Sequence, residues 1–346
     1  MYYIALLIII LLIGALFSYF KIDLKHNKNI LFLIMFILLL FLAFRGENVG
    51  LDMGNYRDAF FLIKSNSFKY IISNINFEVG FKLYTKIISL FTGNFRIYVF
   101  ITSIISMIGP YLFIRNNSKN YYASCFIFLT FSYYIYNFCT LRQSLAISFM
   151  LVGYNFLIQG KKPLFVFSIL FSFLFHKTSI ILLLLVLIDY LPNIKKIFPF
   201  YLVGCILLFI FKQPLVTWLT NIFYGQYIGY RDTSGSGYTM LLLIFGFIVY
   251  FCIITKMFNI EERENKILVY MLLFSLPFQI LSITQGLIAR ITLYFNYSLI
   301  LLIPGYFETL KGNSNKYFKV AYYFSLTLFF VYQVYSNSMY VPYSLI

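Results

Sequence analysis

The sequence predicts an all-helical integral membrane protein, a polytopic bundle of about eleven to twelve transmembrane or re-entrant helices. Three observations carry this. Hydrophobic residues make up 61% of the 346 positions and charged residues only 11%, whereas soluble domains are about half apolar and about a quarter charged. Apolar runs long enough to cross a hydrocarbon core of about 30 Å recur along the chain. Such runs are apolar at every position, as over 2–12, which excludes a β-barrel, where apolar and polar residues alternate. Lipid offers no partners to backbone polar groups, so each run must be a helix.

In chain order the runs fall near 2–20, 29–44, 96–114, 121–137, 141–158, 164–188, 198–211, 238–255, 267–283, 287–304 and 320–336. No Lys or Arg precedes the first and no small-residue cleavage site follows it, so it is expected to stay as a span. The lysines of 21–28 put that loop in the cytoplasm by the positive-inside rule, which leaves 45–95 as a long outer loop. The run 164–188 is interrupted by Phe175-His176-Lys177-Thr178-Ser179. Read as a hairpin turning at the outer side, it puts the basic residues of 161–162, 195–196, 256–266 and 311–319 in the cytoplasm. Read as one span, it moves most of them outside, so the hairpin is preferred. Positions 1–346 then form one membrane domain, with Arg45, Asp52, Arg142, His176 and Arg290 all at the outer face.

The net charge of +16, from 27 Lys and Arg, is spread over loops without a basic stripe, so it orients the chain and does not mark a nucleic-acid partner. Cys125, Cys139, Cys205 and Cys252 fall in or beside apolar runs without paired spacing. They read as packing residues, and neither a disulfide nor a metal site is expected. The acidic cluster Glu261, Glu262 and Glu264 reads as a solvated connection.

The outer loop carries most of the polar chemistry. Its start, Arg45-Gly46-Glu47-Asn48-Val49-Gly50-Leu51-Asp52, is turn-rich and matches neither a dinucleotide fingerprint nor a Walker motif. From 77 to 91, Glu78, Lys82 and Lys86 recur every four residues opposite Phe81, Tyr84, Ile87, Ile88 and Phe91. This pattern predicts an amphipathic helix lying in the membrane interface. Arg142-Gln143 opens a span at its outer boundary, where an arginine is either an interfacial anchor or has a partner or ligand. His176 either bonds backbone groups freed at the helix break or does chemistry. Arg290 and Tyr294, one turn apart, alone would be ordinary snorkelling residues. Tyr224, Tyr227 and Tyr230, among 32 tyrosines, suit either sugar stacking or an interfacial belt.

Taken together, Arg45-Gly46 with Gly50, Asp52 and Tyr56, then Glu78 and Gly80, Arg142-Gln143 with Leu145-Ala146, Phe175-His176, and Arg290 with Tyr294 resemble the EpsG-like family of bacterial polysaccharide polymerases, related in plan to Wzy-type O-antigen and capsule polymerases. The resemblance implies a GT-C-like membrane glycosyltransferase that needs no cofactor. It would join undecaprenyl-diphosphate-linked oligosaccharide repeat units, as donor and acceptor, at the outer face of the plasma membrane, alongside a flippase and a chain-length regulator. Such chemistry needs a cation for the leaving diphosphate, and with no Asp-x-Asp motif on the outer side arginine is the substitute, in Arg45, Arg142 or Arg290. It also needs a base: Asp52 or His176, with Glu47 and Glu78 in reserve. Gln143, Tyr56, Tyr294 and Glu78 complete the implied binding set. A flippase for the lipid-linked unit, an O-antigen ligase and a membrane acyltransferase are the alternatives.

Overall fold

The computed structural model describes residues 2–192, 194–223, 236–249, 262–309, 313–336, 339–340 and 342–344. Tyr224, Tyr227, Tyr230, Cys252 and Glu261 lie outside them. Every regular element among the described residues is a helix: α1 (Tyr2–Tyr19), α2 (Lys28–Ala43), α3 (Met53–Ser65), α4 (Phe68–Asn74), α5 (Val79–Phe91), α6 (Phe95–Asn117), α7 (Tyr121–Thr130), α8 (Tyr136–Cys139), α9 (Leu141–Ile158), α10 (Lys162–Phe175), α11 (Ile194–Ile210), α12 (Lys212–Phe223), α13 (Ser236–Val249), α14 (Arg263–Ser282), α15 (Ala289–Asn296), α16 (Leu299–Thr309) and α17 (Asn313–Ser336). Tighter 3-10 segments cover Lys177–Tyr190 and Gly286–Ile288.

Among the described residues α1, α6, α9 and α14 are long and apolar enough to cross a membrane. The number is six if two bent pairs each count as one span: Lys196–Ile210 with Lys212–Trp218, bent by 73°, and Gly286–Asn296 with Leu299–Thr309, bent by 45°. The helices α2, α7 and α10 are apolar but shorter.

Three apolar runs are divided, that near 287–304 at the bend between α15 and α16. The run near 121–137 stops at Thr130, where Ser132 adopts φ 63° and the Tyr134 amide bonds back to the Phe128 carbonyl at 3.1 Å. A hydropathy window averages over such a turn because Phe131, Tyr133 and Tyr134 are themselves apolar. The run near 164–188 breaks at His176, whose extended backbone (φ −154°, ψ 110°) ends α10.

The chain falls into two compact units, residues 1–180 with 303–346, and residues 181–302. In the first, α9 packs on both α6 and α10, and α2 packs on α6 and α7. The helices α3 and α5 close on this frame through Tyr56, Phe60, Phe81, Tyr98, Leu145 and Phe175. At one end Lys25 Nζ meets Glu308 at 2.5 Å. At the other, the segment after α17 folds back over α1 and α2. There Tyr343 stacks on Phe41 with centroids 3.9 Å apart and its hydroxyl donates to the Phe41 carbonyl at 2.8 Å. The Gly46 amide donates to the Ser344 carbonyl at 2.8 Å.

In the second unit α14 is central, packing on α11, α13 and α15. Arg263 is paired with Asp189 at 3.0 Å, and the Tyr201 hydroxyl bonds the Leu273 carbonyl at 2.7 Å.

Candidate active site

The helices α9 and α10 form an antiparallel pair, so the first turn of one and the last turn of the other lie at the same end. Ser172 pins them together by donating to the Ala146 carbonyl at 2.8 Å. Arg142 and His176 are therefore neighbours although they lie 34 positions apart in the sequence.

Glu78 joins them. It precedes α5 in the N-cap position, yet its side chain makes no capping bond to its own helix. Instead Oε2 accepts from Arg142 Nη1 at 2.6 Å, while Oε1 lies 3.3 Å from His176 Nδ1 and accepts the Lys177 amide at 3.4 Å. Gly80 makes this reach possible. A Cβ there would lie 2.7 Å from both the Cβ and the carbonyl oxygen of Leu174, so only glycine lets the start of α5 press against the end of α10.

The Arg142 guanidinium lies over the Phe77 ring, 4.4 Å from its centroid, close enough to the Tyr56 hydroxyl to interact with it electrostatically. Its side chain stays 23% exposed, against 9% for Glu78 and 10% for His176, so the arginine is the most accessible of the three. Its buried Nε makes no hydrogen bond among the described residues. Burial by itself would raise the Glu78 carboxyl, but the His176 hydrogen bond and the Arg142 charge outweigh it and bring the pKa down to about 2. The carboxylate is thus ionised at any physiological pH. When Nδ1 of a neutral imidazole donates to a carboxylate, Nε2 becomes the basic nitrogen. One turn before Tyr56, Asp52 stands at the N-cap of α3 without a capping bond, and its main-chain carbonyl accepts the Tyr56 amide at 3.1 Å. The cluster therefore offers a cation with a polarising ring, an imidazole held by a carboxylate, and a nearby second carboxylate.

The other expected site residues are placed differently. Arg45 is only 2% exposed: Nη1 donates to the Asn137 carbonyl at 2.9 Å, Nη2 approaches Met53 Sδ at 3.4 Å, and the guanidinium sits 5.0 Å from the Phe138 centroid. Burial lowers its pKa to about 10, so it stays charged. Gly50, at φ 128°, is required beside it, because a Cβ there would fall 2.0 Å from the Phe138 carbonyl oxygen. Glu47 pairs with Arg96 at 3.0 Å on the surface. Gln143 is buried in α9. Arg290 and the buried Tyr294 belong to α15, in the second unit.

Two features escaped the sequence reading. Phe77 is the ring under Arg142, and its only signal is adjacency to Glu78. The expected polar face of α5 is also turned the other way. The four-residue recurrence does produce a helix, but Glu78 and Lys82 are buried and Lys86 is half-buried. Lys82 Nζ donates to the Ile72 carbonyl at 3.0 Å. Lys86 Nζ donates to the carbonyls of Ile63, Lys64 and Asn66 at 2.9–3.0 Å, capping the end of α3.

Fold and site together define a polytopic helical membrane protein that buries an ionised carboxylate between an arginine and a histidine at one end of its bundle. The EpsG family model matches residues 28–345, and the chain belongs to that family, as the ordered motifs implied. Membership points to a polysaccharide-polymerase type of function. The match extends through the C-terminal segment over Phe41 and Gly46, a stretch that contributed nothing to the resemblance. No curated protein and no solved structure matches the chain.

Proposed function

We propose that this protein is a membrane glycosyltransferase that polymerises undecaprenyl-diphosphate-linked oligosaccharide repeat units, of O-antigen or capsule type, at the outer face of the plasma membrane. Its scaffold would be GT-C-like, with about eleven to twelve transmembrane or re-entrant helices. The observation that carries this reading is the Glu78 carboxylate bridging Arg142 and His176, in a chain of the EpsG family.

In this reaction an acceptor hydroxyl attacks the anomeric carbon of the donor. A new glycosidic C–O bond forms, the C–O bond to phosphate breaks, and undecaprenyl diphosphate leaves with the electron pair. Arg142 meets the growing negative charge, its planar fork being suited to phosphate oxygens. His176, held through Nδ1, takes the hydroxyl proton on Nε2. Asp52, beside Tyr56, is the second candidate for that proton. Glu78 orients both Arg142 and His176. Gln143 is proposed to bind the donor, Arg290 with Tyr294 to bind substrate within their own unit, and Arg45, bonded to the Asn137 carbonyl, to hold the loop that carries Asp52. A flippase and a chain-length regulator are proposed partners.

Purified protein given a defined undecaprenyl-diphosphate-linked repeat unit, with EDTA present, should build a ladder of products that Arg142→Ala and His176→Ala both abolish. A folded wild type that builds no ladder but moves the lipid-linked unit across vesicles would replace this reading with a flippase. In cells, loss of a polymerase leaves single repeat units attached, while loss of a ligase leaves none.

A further inference from the structure

The outward face of α5 has a composition that water does not explain. Val79, Leu83, Ile87, Leu90 and Phe91 form one exposed stripe, with Leu90 72% and Phe91 86% exposed. The two lysines of the same helix point inward, their ammonium groups spent on backbone carbonyls of α3 and α4. A helix on an aqueous surface would do the reverse, since lysines are almost never fully buried unless paired. The stripe is also continuous with a second one. On α10, Leu164, Phe167, Leu170, Phe171 and Leu174 are exposed, and this is an apolar helix of the membrane bundle. The two stripes meet where Gly80 abuts Leu174.

We propose that α5 lies within one leaflet of the membrane, its Val79–Phe91 stripe against lipid acyl chains, which places the Glu78–Arg142–His176 cluster at the lipid boundary. With 13 residues the helix is about 20 Å long, too short to cross a core of about 30 Å, so it enters one leaflet and leads back to α6. Capping the lysines on α3 removes the need for them to snorkel. Any ligand whose polar group is carried on a membrane lipid can then reach Arg142 without leaving the bilayer. The inference goes beyond the polymerase reading and does not depend on it.

The test is depth-dependent fluorescence quenching in vesicles of phosphatidylethanolamine and phosphatidylglycerol. The full chain carries bimane on Leu90→Cys or on Phe91→Cys, with Asp58→Cys, at an exposed site of α3, as the aqueous control. Wild type labelled in parallel gives the background from the native cysteines. The expected result is blue-shifted emission at both α5 positions, quenched by acyl-chain bromines and protected from iodide, with the opposite pattern at Asp58→Cys. Iodide quenching at positions 90 and 91 would overturn the proposal in favour of an aqueous face. Oxidative cross-linking between two Leu90→Cys copies, without quenching by bromines, would overturn it in favour of a second copy of this chain. A variant that fails to insert is recognised by the loss of the protected signal at an α10 position, Phe167→Cys, and Leu83→Cys then serves as the second probe of the stripe.

Discussion

Arg45 and Arg142 look alike in the sequence: each sits at the end of an apolar helix, and each is a candidate for a phosphate. The structure separates them by what compensates the charge. Arg142 faces a carboxylate at 2.6 Å and keeps 23% of its side chain exposed. Arg45 is sealed and faces a carbonyl, a thioether and a ring. A buried charge must be compensated, and the means of compensation decides what the charge can do. A phosphate can replace a carboxylate on a guanidinium fork, because both present the same acceptor geometry. No ligand can replace the Asn137 carbonyl without undoing the chain around it. The first arginine is equipped to exchange partners; the second is committed to one fold.

Exchanging the two roles tests this most sharply. Arg142→Ala should cost about 100- to 1,000-fold in turnover, the range seen when one donor to a developing anion is removed. Arg45→Ala should cost about 1–3 kcal/mol of stability by leaving the Asn137 carbonyl unpaired, read as earlier thermal unfolding in detergent, with turnover per folded molecule retained. The comparison breaks if Arg45→Ala abolishes turnover while the unfolding temperature holds.

The carboxylate supplies a pH signature that only one of the two regions has. Glu78 titrates near 2 in the folded protein instead of 4.5, so the folded state favours its ionised form. Its stabilisation is fully present above the unfolded value and is lost as pH falls from 4.5 toward 2. Thermal unfolding followed down through this window should show that loss in wild type and in Arg45→Ala, and a shallower one in Glu78→Gln.

The helical membrane character was legible from composition, and so were several of the polar positions that the fold brings together. Arg142, His176, Glu78 and Tyr56 were all singled out, and all four meet. Their pairing was not legible, because it depends on α9 and α10 running antiparallel and on Gly80 admitting α5, contacts between residues far apart in the chain. Periodicity places Glu78, Lys82 and Lys86 on one face of a helix but cannot say whether that face meets water or carbonyls. Hydropathy likewise passes through Ser132, whose left-handed turn is flanked by aromatic residues. The C-terminal segment carried no motif at all. Its contribution is a stack, a hydroxyl and one carbonyl, groups that any sequence of this composition contains in abundance.

That segment yields the smallest effect and the finest discrimination. Tyr343 holds Phe41 in two separable ways, a ring stack with centroids 3.9 Å apart and a hydroxyl bond to the Phe41 carbonyl. Tyr343→Phe keeps the stack and removes only the bond, so it should lower stability by about 1 kcal/mol, the net worth of one such hydrogen bond. Tyr343→Ala removes both and should lower it further. Both variants alter only the packing and bonding on Phe41 and touch none of Glu78, Arg142 and His176, so both should leave the turnover of folded protein unchanged. A Tyr343→Phe variant with full thermal stability and reduced turnover would mean that the tail takes part in the reaction, and Arg45 beneath it would then belong with Arg142 after all.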